Sequence, residues 1–130
     1  MDYKLELVSI PVSDVDRARD FYVDKIGFAL DHDHTVSDEI RFVQMTPPGS
    51  ACSIGSACSI AVGKGIVDGE PGSVKGLQIV VADAVTAREE LLERGAPVSD
   101  VQHLDWGNFV FFADPDGNAW SLQQLPDRSA

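Results

Sequence analysis

The residues of this chain best suited to hold a metal or move a proton are its histidines and cysteines, so their spacing comes first. His32 and His34 flank Asp33 in the run Asp31-His32-Asp33-His34. On an extended strand, residues i and i+2 share a face, so both imidazoles could meet one metal ion. A histidine pair without a third ligand marks a metal weakly. An exposed polar strand end leading into Thr35-Val36-Ser37-Asp38 explains the same residues more simply. His103 stands in Gln102-His103-Leu104-Asp105-Trp106-Gly107, read as a loop before a Phe-rich strand. A histidine beside a tryptophan on a loop suits ligand contact at a rim, with proton transfer a weaker option and plain packing the alternative. Cys52 and Cys58, if they share one extended strand, lie about 20 Å apart, beyond disulfide reach. Two reduced thiols are expected. Gly63-Lys64-Gly65 lacks the spacing of a phosphate-binding loop, and no Ser/His/Asp arrangement can be asserted.

The elements that must position these residues follow a doubled plan. A first strand runs from Lys4 to Val12, with Val8, Ile10 and Val12 on one face and Leu7, Ser9 and Pro11 on the other. Ser13 and Asp14 supply capping oxygens for a helix carrying Val15, Ala18, Phe21, Tyr22 and Ile26, which Gly27 stops. Strands are expected at Phe28–Asp33, Ile40–Met45 and within Cys52–Val62, with Pro47-Pro48-Gly49 breaking the last two apart. After a Gly/Pro/acid-rich connection, Leu77–Asp83 repeats Val8–Asp14, and Ala87-Arg88-Glu89 stands where Ala18-Arg19-Asp20 stood. A second helix ends at Gly95, strands follow near Val98–Val101 and Asn108–Ala113, and the last strand is Ala119–Leu125. Between the final two strands, Asp114-Pro115-Asp116-Gly117-Asn118 has the residues of a tight turn.

The pattern predicts one α+β domain of two βαβββ modules, about 3–62 and 75–125, joined by a linker over 63–74. A shorter repeat, Gly49–Ile54 and Gly55–Ile60, has an even length and so preserves strand alternation. It is read as a local duplication without chemistry of its own.

Composition narrows the function. The chain has 130 residues, 44% hydrophobic, enough for one core. A formal net charge of −11 repels phosphate backbones and anionic membranes, so no nucleic-acid or membrane partner is expected. No apolar run approaches the roughly 20 residues of a membrane span. The acidic, alternating start does not read as a signal peptide. A cytoplasmic protein is expected.

Together, the paired halves, Ser13-Asp14 ahead of Phe21-Tyr22 and Gly27-Phe28, and the closing Asp114–Asn118 turn resemble the vicinal-oxygen-chelate superfamily. That group includes glyoxalase I, the extradiol dioxygenases and the bleomycin-resistance proteins. The resemblance runs from Leu5 to Gln124. It implies an open, cup-shaped mixed β-barrel with helices outside, and a homodimer, sometimes with halves paired across subunits. Enzymatic members hold a divalent metal through His or Glu on the first strand of each half and Glu on the last strand. Mapped onto this sequence, those places are Leu7, Gly76 and Ser121. Leucine and glycine offer a metal nothing, and a lone serine hydroxyl is a poor ligand. No metal or other cofactor is expected.

Strand parity then sets the expected lining of the cup. Trp120 and Leu122 pack under a helix, leaving Ser121 and Gln123 inward; Leu7, Ser9, Gln78 and Val80 follow by the same rule. With Gln44, His103, Trp106 and Phe111 this is a set of apolar and neutral polar groups, suited to binding an aromatic or heterocyclic small molecule. A metal-free binding protein of the bleomycin-resistance kind is the leading reading. A glyoxalase-like lyase or isomerase, or a natural-product tailoring enzyme using unconventional residues, is the second. A vestigial or collapsed cup is the third.

Overall fold

Asp14 and Asp83 have extended backbone, and each accepts a backbone N–H from the turn it opens, Arg17 in one case, Val85 and Thr86 in the other. These bonds satisfy donors that a helix start leaves open. The computed structural model describes residues 1, 3, 5–49, 51–52 and 56–126. In the first half, β1 (Leu7–Ser9) leads through α1 (Val15–Asp20) to β2 (Ala29–Thr35), β3 (Arg41–Thr46), a small β4–β5 hairpin (Ala51–Cys52, Ser56–Ala57) and β6 (Ser59–Lys64). The second half repeats this with β7 (Leu77–Val80), α2 (Ala84–Glu93), β8 (Gln102–Leu104), β9 (Gly107–Ala113) and β10 (Ala119–Gln124). Each half makes a four-stranded sheet of the same order, β1-β6-β3-β2 and β7-β10-β9-β8, with first and last strands parallel and the rest antiparallel. The two sheets remain separate, so the chain is α+β and open, not a closed barrel.

Several elements differ from the sequence reading. The first strand is only Leu7–Ser9, because Pro11 has no N–H to extend the ladder and the chain turns there toward the cap; Ile10 still donates to the Ala61 carbonyl at 2.8 Å. The first helix is α-helical for six residues, and Phe21–Ile26 then widens into a π-helical turn that closes at Gly27. β2 runs on to Thr35, taking in His34. Val98–Val101 contributes a single bridge, Val98 to Phe112. Ser99 breaks the ladder there: its hydroxyl takes the Phe111 N–H at 2.9 Å, while Arg88 occupies its carbonyl at 2.9 Å. The strand therefore forms at Gln102–Leu104, and His103 lies on it instead of on a loop. Cys58 has no disulfide partner among the described residues; the Cys52 side chain and Ser50, Ser53, Ile54 and Gly55 of the short duplication lie outside them. Among the described residues no helix is long and apolar enough to cross a membrane.

The helix-facing sides of both sheets share one core. Val43, Met45, Val62 and Val110 are fully buried, and Tyr22 stacks on Phe28 while Phe112 lies parallel to Trp120 at 5.7 Å. Inside this apolar cluster sits one carboxylate, Asp114. Its Oδ1 accepts the backbone N–H groups of Asp116 (3.0 Å) and Asn118 (2.9 Å); its Oδ2 accepts the Tyr22 hydroxyl and Asn118 Nδ2, both at 2.8 Å. Trp120 Nε1 donates to the Tyr22 oxygen (3.0 Å), and Asn118 Nδ2 also reaches the Pro11 carbonyl (2.9 Å). The Asp114–Asn118 turn thereby ties the helix and first strand of one half to the last strands of the other. Burial and the neighbouring Asp114 charge hold the Tyr22 phenol protonated far above its ordinary range.

Replacing Asp114 by Ala leaves buried donors unsatisfied and should cost about 3–5 kcal/mol, while Tyr22→Phe should cost about 1–3 kcal/mol. Urea unfolding of both variants measures this, and Tyr22→Phe at wild-type stability would contradict the assignment.

Candidate functional site

Cross-strand register places the expected lining residues in two groups. On the first sheet, Leu7 pairs with Ser59, and a second row runs Ser9–Ala61–Gln44–His32 across β1, β6, β3 and β2. A third row runs Gly63–Phe42–His34. All face away from the shared core. Thr46 and Ser59 share a hydrogen bond of 2.8 Å on this side, and the Thr46 hydroxyl also donates to Asp31. Buried Ser59 was not singled out from sequence; its parity with Ala61, across from Leu7, would have found it.

On the second sheet, one row is Gln78–Ser121–Phe111 and the next is Val80–Gln123–Phe109–Gln102. Phe109 and Phe111 stack almost parallel, ring centres 6.0 Å apart at 6°. Phe109 is buried, whereas Phe111 is 38% and Val80 60% exposed. The Gln78 amide donates to Gln123 Oε1, and Gln123 Nε2 donates to the Trp106 carbonyl at 3.0 Å. Trp106 stands at the β8–β9 turn with its indole 60% exposed. This face is an aromatic platform edged by neutral amides and a hydroxyl.

His103 does not join it. Its partner is Asn108, whose parity is opposite to that of Phe109 and Phe111, so the imidazole lies on the other face. There Nδ1 meets Asn108 Oδ1 at 2.8 Å, a contact without a carboxylate or reacting group. The loop assignment had left that orientation open; the strand fixes it.

The two groups lie on different sheets. Where the first strands approach, a cavity of about 480 Å³ is lined by Val8, Ile60, Leu77, Ile79 and Trp120, taking Gln78 and Val80 from the expected lining. Parity had assigned Val8, Leu77 and Ile79 to the helices. All three are partly buried there, and Leu77 and Ile79 also pack against the shared core.

The three positions that the family resemblance marks for metal do not suit one. Leu7 is a hydrocarbon on β1, Ser121 a lone hydroxyl, and Gly76 has a left-handed backbone (φ +88°) with no side chain. Among the described residues no group of three His, Cys, Asp or Glu side chains comes close enough to hold an ion.

Charge on the first half is organised on the helix side. Arg41 grips Asp33 through Nε–Oδ1 (3.0 Å) and Nη2–Oδ2 (2.9 Å), and Arg19 Nη1 adds 2.8 Å to Oδ2. The Arg41 hydrogen bonds, aided by Arg19, lower the Asp33 carboxyl from 3.8 to about 2. Because the folded-state value is depressed, this stabilisation is complete above 3.8 and is lost as pH falls through about 2. Unfolding free energy should therefore decline across that acid window, and Asp33→Asn should flatten that part of the profile. Gly76→Ala should separately cost about 1–2 kcal/mol, since an alanine there is strained even with open space around it; urea titration reads both.

The sequence matches the family described as the Glyoxalase/Bleomycin resistance protein/Dioxygenase superfamily over residues 4–122. Among solved structures, an antibiotic-binding protein, TnmS3, from Streptomyces sp. CB03234 is similar at 33% identity, covering 96% of this chain and 98% of that one, with a TM-score of 0.78. A glyoxalase/bleomycin resistance protein from the same strain is similar at 34% identity, 93% and 100% coverage, and a TM-score of 0.72. Among relatives known by sequence, the protein YetH of Bacillus subtilis is 24% identical over 118 residues, 90% of this chain and 94% of that protein.

Proposed function

The chain belongs to the Glyoxalase/Bleomycin resistance protein/Dioxygenase superfamily, and on that basis we propose that it is a binding protein, not a catalyst, holding a planar aromatic or heterocyclic small molecule. The observation that carries this reading is the Phe109–Phe111 pair. Two stacked rings, one of them exposed, stand among Gln78, Ser121 and Gln123, with no ionisable group in either row. Such a surface offers stacking area and a few directional hydrogen bonds, the needs of ligand retention. Proton transfer needs a titratable side chain within reach of the bound molecule, and His103 is turned to the opposite face. The antibiotic-binding relative at 33% identity supports a sequestering, resistance-like role. The chain's charge of −11 favours a cationic ligand over an anionic one. The standard metal positions do not suit an ion, so no step is routed through one.

A homodimer belongs to the same proposal. The second sheet leaves Val80, Leu104, Phe111 and Trp106 at 60%, 41%, 38% and 60% exposure. Laid against the Leu7–Ser9–Gln44 face of a second copy, this platform would gain a wall, and an enclosed pocket would form between subunits.

The test is titration of the protein with a cationic acridine dye. Trp106 fluorescence should quench, because Trp120 is buried in the core. Phe111→Ala should weaken binding about tenfold, the loss of roughly 1.4 kcal/mol of ring contact. Ultracentrifugation should find a dimer. Unchanged affinity in Phe111→Ala would move the site elsewhere. Turnover of a thiol hemithioacetal by the purified protein would replace binding with lyase or isomerase chemistry.

A further inference from the structure

We propose that β2, on its face turned away from the core, carries a transition-metal clip made of His32 and His34, at positions other than the family's metal positions. Both imidazoles are exposed on the same side of the outermost strand of the first sheet, their ring centres 5.6 Å apart and their planes within 23° of parallel. Nitrogen–metal bonds of about 2.0–2.1 Å place the centres of two imidazoles on one ion roughly 4.5–6 Å apart. The observed separation falls in that span, and both side chains are exposed and free to turn toward a shared ion.

The backbone holds this pairing in place. His32 and His34 are in register with Gln44 and Phe42, beyond the irregularity between Leu30 and His32, so both point away from the core, on the face that also carries Ser9 and Gln44. Asp33, between them, is turned to the other face and fixed there by Arg41 and Arg19. That lock sets the phase of the strand and keeps the Asp33 carboxylate out of the coordination sphere. Imidazole nitrogens suit copper(II), the tightest-binding divalent ion of the first transition series for such donors. The acidic chain, at −11, draws cations toward its surface. With only two protein donors, the remaining positions are filled by water or by donor atoms of a small molecule.

The inference does not rest on the aromatic platform of the second sheet. Copper(II) is titrated into the full chain, free of any affinity tag, at neutral pH, and followed by calorimetry and electron paramagnetic resonance. The expected result is one ion per chain with a signal from two nitrogens. His32→Ala and His34→Ala should each weaken binding about tenfold or more, and His103→Ala should leave it unchanged. Circular dichroism of each variant confirms that it is folded. Stoichiometric copper binding that survives in the folded His32→Ala/His34→Ala double variant would overturn the proposal, as would a one-nitrogen signal or no binding at micromolar copper.

Discussion

A carboxylate buried in an apolar cluster, stabilised by four uncharged donors, is the constraint on which this architecture turns. Burying an ion is expensive unless its hydrogen-bonding capacity is met. Asp114 meets it only when the closing turn, the Tyr22 helix and the Asn118 amide are all in place. The relay from Trp120 Nε1 to the Tyr22 oxygen to Asp114 Oδ2 then passes through the middle of the aromatic cluster. Any slip of one half against the other would strand those groups without partners. That cost fixes the relative position of two sheets that share no ladder.

With the polar hub and the aromatic core on the helix side, chemistry is left to the outward faces. The division is clean. Asp16, Arg19, Asp33 and Arg41 pair with one another beside α1, so their charges are spent on structure. The platform of the second sheet keeps Gln78, Ser121 and Gln123, hydrogen-bonding groups that carry no charge. The first sheet keeps its hydroxyl pair and the two imidazoles at its edge.

Much of this was legible in the residues because strand alternation is rigid. The doubled strand–cap–helix pattern, the Asp114–Asn118 turn, and the parity of Leu7, Ser9, Gln78 and Ser121 follow from local rules that tertiary contacts did not override. The Val98–Leu104 segment was less transparent. Its apolar valines suggested a strand, but a side-chain hydroxyl on Ser99 and a guanidinium from α2 took the backbone groups first. His103 belongs to the same segment: its sequence reads as a loop, where parity does not apply, and the structure places it on β8. The π-helical widening at Phe21–Ile26 serves the burial of Phe21 and Tyr22 against the other half, and nothing local to that stretch announces it.

The contact between Asn118 Nδ2 and the Pro11 carbonyl joins residues 107 positions apart. During synthesis, the first half emerges from the ribosome long before its clasp exists. Its sheet can assemble, because β1 needs only β6, but Tyr22 must wait for Asp114 with its hydroxyl unpartnered. The hydrogen bonds of Tyr22 and of the Pro11 carbonyl to this clasp therefore close only after Asp114–Asn118 has been translated.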